Sequence, residues 1–190
     1  MTESKLRQLV RETLLAESAI KPKASFDMGI FFTVYKSGNT QEVLASKGED
    51  QVGQLTAERI KLPCSEAWNI TWASAQRGLG PLMYDLMMDA IFPHPLTADR
   101  STVSSDAWKV WNFYLNNRPD IEVIQLDDPH NTITPNEDDN CFQTSALLWS
   151  GYVGGSWQDS PLSKAYRRKD GKRPTLNALR RLGNLELVGQ

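Results

Sequence analysis

Residues 73–91, ASAQRGLGPLMYDLMMDAI, join a glycine turn to the start of an apolar-striped helix. Gly78 and Gly80 let the chain turn tightly and let backbone N–H groups approach a ligand, because a side chain at either position would block that approach. Pro81 suits a first helical position, where its missing N–H is no loss. Free amides at the positive end of a helix dipole predict a site for phosphate or pyrophosphate.

The turn matches neither of the two common nucleotide-binding loops. The dinucleotide-binding fingerprint needs a third glycine where Met83 stands, and the P-loop sequence GK[ST] is absent. Taken alone, RGLG is equally compatible with a helix-capping turn that binds nothing. Its position after a run of strands favours the ligand site.

The elements that must position this turn are predicted from the spacing of apolar residues. Alternation on both sides of Gly38 and Asn39, over residues 29–48, predicts a β-hairpin. GQLTAERI and AWNITWASA predict a third and a fourth strand. The helix after the turn carries an apolar face of Leu82, Met83, Leu86, Met87, Ala90 and Ile91.

Helical spacing also marks both ends of the chain. Residues 4–17 predict an amphipathic helix with Ser4 as its N-cap, and residues 176–188 predict a short helix whose leucines face inward. The basic residues near the C-terminus indicate a solvated surface, with a nucleic-acid or virion contact as the alternative. They are Lys164, Arg167, Arg168, Lys169, Lys172, Arg173, Arg180 and Arg181.

The composition predicts a soluble domain of ordinary size. The chain has 190 residues and a net charge of −2, and it contains no apolar run of membrane-spanning length. Cys64 and Cys141 lie in no CxxC motif, so they are interpreted as reduced thiols or small apolar fillers, and no metal is expected.

Two further groups of residues have structural interpretations. Asp127, Asp128, His130 and the acidic run Glu137, Asp138 and Asp139 could suggest a divalent metal, but their spacing fits neither an EF-hand loop nor a zinc motif and indicates a solvated loop. The six tryptophans are predicted to lie in the core, because aromatic side chains bury large areas. They are Trp68, Trp72, Trp108, Trp111, Trp149 and Trp157.

The order of these elements resembles the GNAT superfamily of N-acetyltransferases, in which a fourth strand ends in a glycine loop that opens a central helix. In the family loop, Gln or Arg is followed after two residues by Gly-x-Gly or Gly-x-Ala; here the glycines match and Ala75 departs. The resemblance implies an α/β (α+β) fold with a twisted, mostly antiparallel mixed sheet and helices on both faces. It divides the chain into an N-terminal helix (1–20), a GNAT-like domain (21–160) and a basic C-terminal extension (161–190).

SSDAWKVWNFYLNN resembles a second family motif, in which an Asn precedes a helix that carries Ala and then a Tyr facing the sulfur of coenzyme A. Ala107 aligns with the alanine, and Ser104 or Ser105 stands in place of the Asn. Trp111 stands in place of the Tyr, and Tyr114 follows one helical turn later.

The resemblance implies that acetyl-CoA is a cosubstrate whose acetyl group a deprotonated amine takes by direct attack. The expected cofactor-binding residues are Trp72, Ala73 and Ala75 along the strand and Gln76, Arg77, Gly78, Leu79 and Gly80 at the pyrophosphate. An indole N–H is not a useful acid, so Tyr114, with Tyr84 as the alternative, is the expected proton donor to the thiolate. Glu66 is the expected general base, with His94 as the alternative.

The run from RGLGPLMYD to IQLDD resembles GNAT-like proteins encoded by bacteriophages. Leu15, Ala16 and Glu17, followed by Ser18, resemble the site cut by head-maturation proteases of large tailed phages, so residues 1–20 are a candidate capsid-targeting segment. The implied location is the host cytoplasm, or the virion if that segment is used.

Two functions therefore remain open. One is an acyl-CoA-dependent N-acyltransferase acting on an unknown amine of a protein, a small molecule or a modified base. The other is a non-catalytic virion-associated or host-binding protein on a degenerate GNAT-like fold. Neither function involves a membrane partner.

Overall fold

The structure is a computed structural model that describes residues 29–59, 64, 67–130 and 132–189. These ranges contain a mixed α/β arrangement of one eight-stranded, mostly antiparallel sheet and four α-helices. The predicted helix of residues 4–17, the predicted cleavage site after Glu17, and Glu66 lie outside the described residues. No helix within the described ranges is long and apolar enough to cross a bilayer.

The first four strands are β1 (Ile30–Ser37), β2 (Thr40–Lys47), β3 (Asp50–Arg59) and β4 (Trp68–Ala75). Each pairs antiparallel with the next, which confirms the predicted hairpin and the third and fourth strands. Gly38, at the hairpin turn, has a φ of +57°, a conformation that glycine adopts without steric cost.

The chain then alternates between helices and short strands. The central helix α1 (Gly80–Ile91) leads to β5 (Leu96–Thr97), which is parallel to β4. Helix α2 (Ser105–Asn117) follows, with Ser104 as its N-cap, and leads to β6 (Ile121–Gln125).

The C-terminal part adds one strand inside the sheet and one at its edge. Helix α3 (Thr144–Val153) and two 3-10 turns (Trp157–Asp159 and Pro161–Ser163) precede β7 (Lys164–Arg168). Helix α4 (Pro174–Arg181) and β8 (Leu185–Val188) follow. The strand order is β6-β7-β5-β4-β3-β2-β1-β8, so β7 lies between β5 and β6, and β8 runs parallel to β1 at the other edge.

The basic residues near the C-terminus are therefore not all on the surface. Lys169, Lys172, Arg180 and Arg181 are exposed, as predicted for a solvated segment. Arg168 is only 3% exposed, and for this residue the prediction is wrong, because β7 is an internal strand of the sheet.

Helix α1 covers one face of the sheet. Its buried side chains pack on Phe32, Val34, Val43, Leu55 and Ala57, which point to that face from β1, β2 and β3. Phe31, Tyr35 and Trp72 point to the opposite face and are exposed. Since α1 covers only one side of these strands, helices on both faces remain a prediction.

The prediction that all tryptophans lie in the core is wrong for Trp72, which is 58% exposed because it lies opposite α1. Trp68, Trp111 and Trp157 are buried. Trp108 and Trp149 are half-buried and stack on each other with ring centroids 5.5 Å apart.

Cys64 and Cys141 are not reduced thiols. The structure joins them in a disulfide that spans 77 residues of sequence, and both are buried. The interpretation from spacing was wrong because residues distant in sequence meet here: the backbone N–H of Cys64 donates to the carbonyl of Asn140. The disulfide attaches the loop that precedes α3 to the segment that precedes β4.

Five charged residues form a buried ionic cluster under α1: Asp85, Asp89, Arg118, Asp120 and Arg168. Arg118 donates to both oxygens of Asp85, at 3.0 and 3.1 Å. Arg168 donates from Nε to Asp89 at 2.8 Å, and both arginines donate to Asp120. The cluster connects α1 to the end of α2 and to β7, so it fixes the helix that begins at the glycine turn.

Candidate functional site

The open edge of β4, residues 70–75, is the main feature of the candidate site. Strand β4 pairs with β5 only through Trp68 and Asn69. Beyond Asn69 the side of β4 facing away from β3 has no strand partner among the described residues. Residues 71–78 are also exposed. A run of unpaired strand amides and carbonyls can pair with an extended ligand as a further strand would.

A β-bulge lies at the start of this open edge. Thr56 of β3 is opposite Trp72 while Ala57 is opposite Ile70, so Thr71 is the extra residue. Bulges bend a strand and are frequent next to functional sites. The bulge therefore lies where the pairing of β4 with β5 ends.

Asn69 is an unsatisfied polar group at this point of divergence. Its side chain is 1% exposed, and neither its amide oxygen nor its amide nitrogen has a hydrogen-bond partner in the described part of the chain. A buried polar group without a partner destabilises the fold unless a water molecule or a ligand satisfies it. Nothing in the sequence singled out Asn69, because whether the side-chain amide of a strand residue finds a partner depends on its surroundings in the folded chain.

The glycine turn lies at the other end of the open edge. Gly78 has a φ of +93°, which requires glycine at this position. The amide of Gln76 donates to the carbonyl of Val52 at 2.7 Å, and the amide of Leu79 donates to the carbonyl of Gln76 at 3.0 Å. Two of the amides predicted for the pyrophosphate are therefore used within the fold.

The remaining amides of the turn indicate an anion site with fewer donors than the sequence predicted. Those of Arg77, Gly78 and Gly80 have no hydrogen-bond acceptor in the described ranges. Helix α1 begins at Gly80, with no side-chain cap at Leu79 and no acidic residue in its first turn. Neither feature therefore compensates the positive end of the helix dipole. A Cβ added at Gly80 would meet nothing within 4 Å, so the space above it is open.

Two charged residues of α2 lie near the glycine turn. Lys109 donates to Asp106 at 2.8 Å on the exposed first turn of α2. This contact lowers the pKa of Asp106, and the positive charge of Arg77 in the glycine turn adds to the effect. Arg77 therefore supplies a positive charge in the turn itself that can attract an anionic ligand.

The structure places Tyr114 beneath α1, away from solvent. Its hydroxyl donates to Asp85 at 2.9 Å and lies 3.2 Å from the carbonyl of Pro81. Burial, together with the charge of Asp85, raises its pKa well above the ordinary value. A phenol held in this way retains its proton strongly, and its bond to Asp85 gives Tyr114 a structural role. The assignment of Tyr114 as proton donor remains a prediction.

Tyr84 has a different environment from Tyr114. It packs edge-on against Trp111 at 5.1 Å, and its hydroxyl has no hydrogen-bond partner within the described ranges. Burial and the nearby Asp99 raise its pKa to about 12. Trp111 is itself buried between Tyr84, Tyr114 and Tyr166, so the indole that stands in place of the family tyrosine belongs to the core.

A matched pair of substitutions separates these two tyrosines. We expect Tyr114→Phe to lower the free energy of unfolding by about 1.5 to 3 kcal/mol, because it removes a hydrogen bond to a buried carboxylate. Tyr84→Phe should change it much less, since no partner is lost. Urea denaturation of both variants measures the difference, and equal losses would contradict the role given to the Tyr114 hydroxyl.

Of the two candidate bases, the structure describes only His94. Glu66 lies outside the described residues, so its role remains a prediction. His94 lies in the loop after α1, and its Nε2 is 3.5 Å from a guanidinium nitrogen of Arg59 at the end of β3.

The expected cofactor-binding residues form one continuous exposed path, which runs along β4 and into the turn. Trp72, Ala73 and Ala75 lie on the open edge, and Gln76, Arg77, Gly78, Leu79 and Gly80 continue from it into the helix. The Leu79 side chain is buried in the core, its N–H donates to Gln76 and its carbonyl accepts from Met83, so Leu79 offers a ligand no free polar group. Comparison of the chain with family models, with curated proteins and with solved structures found no match.

Proposed function

We propose that this chain is an acyl-CoA-dependent N-acyltransferase of the GNAT type, encoded by a bacteriophage, that transfers the acetyl group of acetyl-CoA to an amine. One observation carries the proposal: an open strand edge runs directly into the uncapped start of a helix with unused amides. An extended polar arm that ends in a diphosphate is complementary to that combination.

The amides of Arg77, Gly78 and Gly80 would hold the pyrophosphate, with Arg77 contributing positive charge. The pantetheine arm would pair with the open edge of β4 along Trp72, Ala73 and Ala75. At about 3.3 Å per residue, an arm paired along the open edge would bring the reacting thioester about 20 Å from the turn, near the bulge at Thr71 and the unsatisfied amide of Asn69.

The reaction needs a neutral amine, a polarised thioester and a proton for the leaving group. The amine lone pair attacks the carbonyl carbon, so that a C–N bond forms and the C–S bond breaks. The ammonium proton passes to a base, for which Glu66 is the candidate, and the thiolate takes a proton from a phenol, for which Tyr114 and Tyr84 are the candidates. Asn69 could donate from its amide nitrogen to the carbonyl oxygen as negative charge develops there.

Substitution of Gly80 tests the cofactor site. We expect acetyl-CoA to bind at micromolar concentration in isothermal titration, and Gly80→Glu to weaken binding by more than about tenfold, or about 1.4 kcal/mol. The added carboxylate would occupy the anion site and repel the diphosphate. Because a Cβ at Gly80 has open space around it, the fold should tolerate the change.

Gly80→Gln is the matched control, since it adds a side chain of the same size without the charge and should therefore weaken acetyl-CoA binding less than Gly80→Glu does. If the natural protein shows no binding at millimolar acetyl-CoA, or if the glutamate variant binds equally well, the transferase proposal is wrong. Trp111 is buried, and the Tyr114 hydroxyl is hydrogen-bonded to Asp85. Both observations would then favour the second function, a non-catalytic virion-associated or host-binding protein.

A further inference from the structure

The loop between β6 and α3 contains three buried oxygen atoms that lack hydrogen-bond donors. They are Oδ1 of Asp127, Oδ1 of Asp139 and Oδ1 of Asn140. Asp127 is fully buried, although the sequence indicated a solvated loop, so the prediction is wrong for this residue. Two of the three oxygens belong to carboxylates and the third to an amide.

Backbone and side-chain bonds bring these groups together. Asp127 and Asn140 face each other in a β-bridge, and the residues on either side of Asn140 bond to the backbone of Asp127. Paired residues of a bridge direct their side chains to the same side. Both carboxylates also bond to Thr134: its amide donates to Oδ2 of Asp127 at 2.7 Å, and its hydroxyl donates to Oδ2 of Asp139 at 3.0 Å.

The shared bonds to Thr134 bring the two carboxylates close together, and Oδ1 of each has no donor among the described residues. Within the described ranges, no lysine, arginine or histidine forms an ion pair with Asp127 or Asp139. Asp127 is fully buried and Asp139 is half-buried. Neighbouring carboxylates that lose hydration repel each other, and a cation relieves both costs. A water molecule would supply at most two donors and no charge.

We propose that Asp127, Asp139 and Asn140 bind a calcium ion. Calcium takes six to eight oxygen ligands from carboxylates, amide carbonyls and water in flexible geometry, which fits a mixed oxygen set in an irregular loop. No group of three or more His, Cys, Asp or Glu side chains in the described ranges could hold a metal, so the site depends on the amide oxygen of Asn140 and on water for its remaining ligands.

The disulfide fixes the same loop. Cys141 follows Asn140 directly, and Cys64 both forms the disulfide and donates its N–H to the Asn140 carbonyl. With the backbone held in this way, the ion would need to order few further residues. With only three protein oxygens, affinity is expected at the weak end of the calcium range, about 10⁻⁴ to 10⁻³ M.

Thermal denaturation of the full chain in CaCl₂, MgCl₂ or EDTA tests the site. We expect Ca²⁺ to raise the Tm in a concentration-dependent way, because an ion that binds only the folded state stabilises it. Asp139→Asn should abolish the shift and weaken calcium binding in isothermal titration by more than about tenfold, since even outer-shell changes cost about 10- to 100-fold. The asparagine can still accept the hydrogen bond from Thr134.

Glu137→Gln is the matched control. It removes one negative charge from the same loop at an exposed residue, so it should keep the calcium response. Asn140→Ala, which changes no charge, should also lose the response. An unchanged Tm in millimolar calcium, an equal response in Asp139→Asn, or a response to Mg²⁺ alone would overturn the proposal.

Discussion

Replacing Arg168 with leucine is expected to lower the free energy of unfolding by about 3 to 5 kcal/mol, the typical cost of removing one partner of a buried ion pair. Arg168 is 3% exposed and neutralises Asp89, which is fully buried, and also Asp120. Without the guanidinium, Asp89 retains only the hydrogen bond from the amide of Leu176, at 3.0 Å. A buried carboxylate with one neutral donor is strongly destabilised.

The adjacent arginine supplies the control for this prediction. Arg167 bonds to Glu122 at 2.7 Å, but both side chains are more than a third exposed, so Arg167→Leu should cost less than about 1 kcal/mol. Urea denaturation measures both variants. The double variant Asp89→Leu/Arg168→Leu should lose less than Arg168→Leu alone, because it leaves no unpaired charge on Asp89. Equal losses in the two single arginine variants would contradict the buried ionic cluster.

Removing the disulfide should have the next largest effect. We expect Cys64→Ala/Cys141→Ala to lower the free energy of unfolding by about 2 to 4 kcal/mol, because a bond that closes a long loop restricts the unfolded chain. The two cysteines are separated by 77 residues, which places this loop among those for which the entropic effect is large.

Reduction provides an independent measurement of the same quantity. Dithiothreitol should lower the Tm of the natural protein to that of the double alanine variant and leave the variant itself unchanged. Thiol titration of the denatured, unreduced protein should find no free cysteine. Two titratable thiols in the natural protein would show that the disulfide does not form, as expected for a protein kept in a reducing compartment.

Sequence reasoning found the parts of the fold that depend on neighbours in the chain. The hairpin at Gly38 and the central helix follow from apolar periodicity and turn chemistry within about 20 residues. The turn at Gly78 was found for the same reason, because a positive φ is a local requirement with a local sequence signal. The path from the end of β4 through the turn into α1 was therefore predictable.

The remaining features depend on residues that meet only in the folded chain. Asp85 and Asp89 lie on the buried side of α1 because Arg118 and Arg168 reach them from other elements. Strand β7 was not predicted, because the basic residues in its sequence KAYRR indicate an exposed segment. The open edge of β4 arises because β5 is two residues long, which apolar spacing cannot reveal.

The position of β7 has a consequence for biosynthesis. This strand is made after β5 and β6 and yet pairs with both of them, from Leu96 to Tyr166 on one side and from Val123 to Tyr166 on the other. While the ribosome is still translating the residues before Lys164, β5 and β6 have no bridging strand, and Asp89 has no arginine from β7. Folding of this half of the sheet is therefore expected to wait until β7 has been made, and until then its incomplete edge is a target for chaperones.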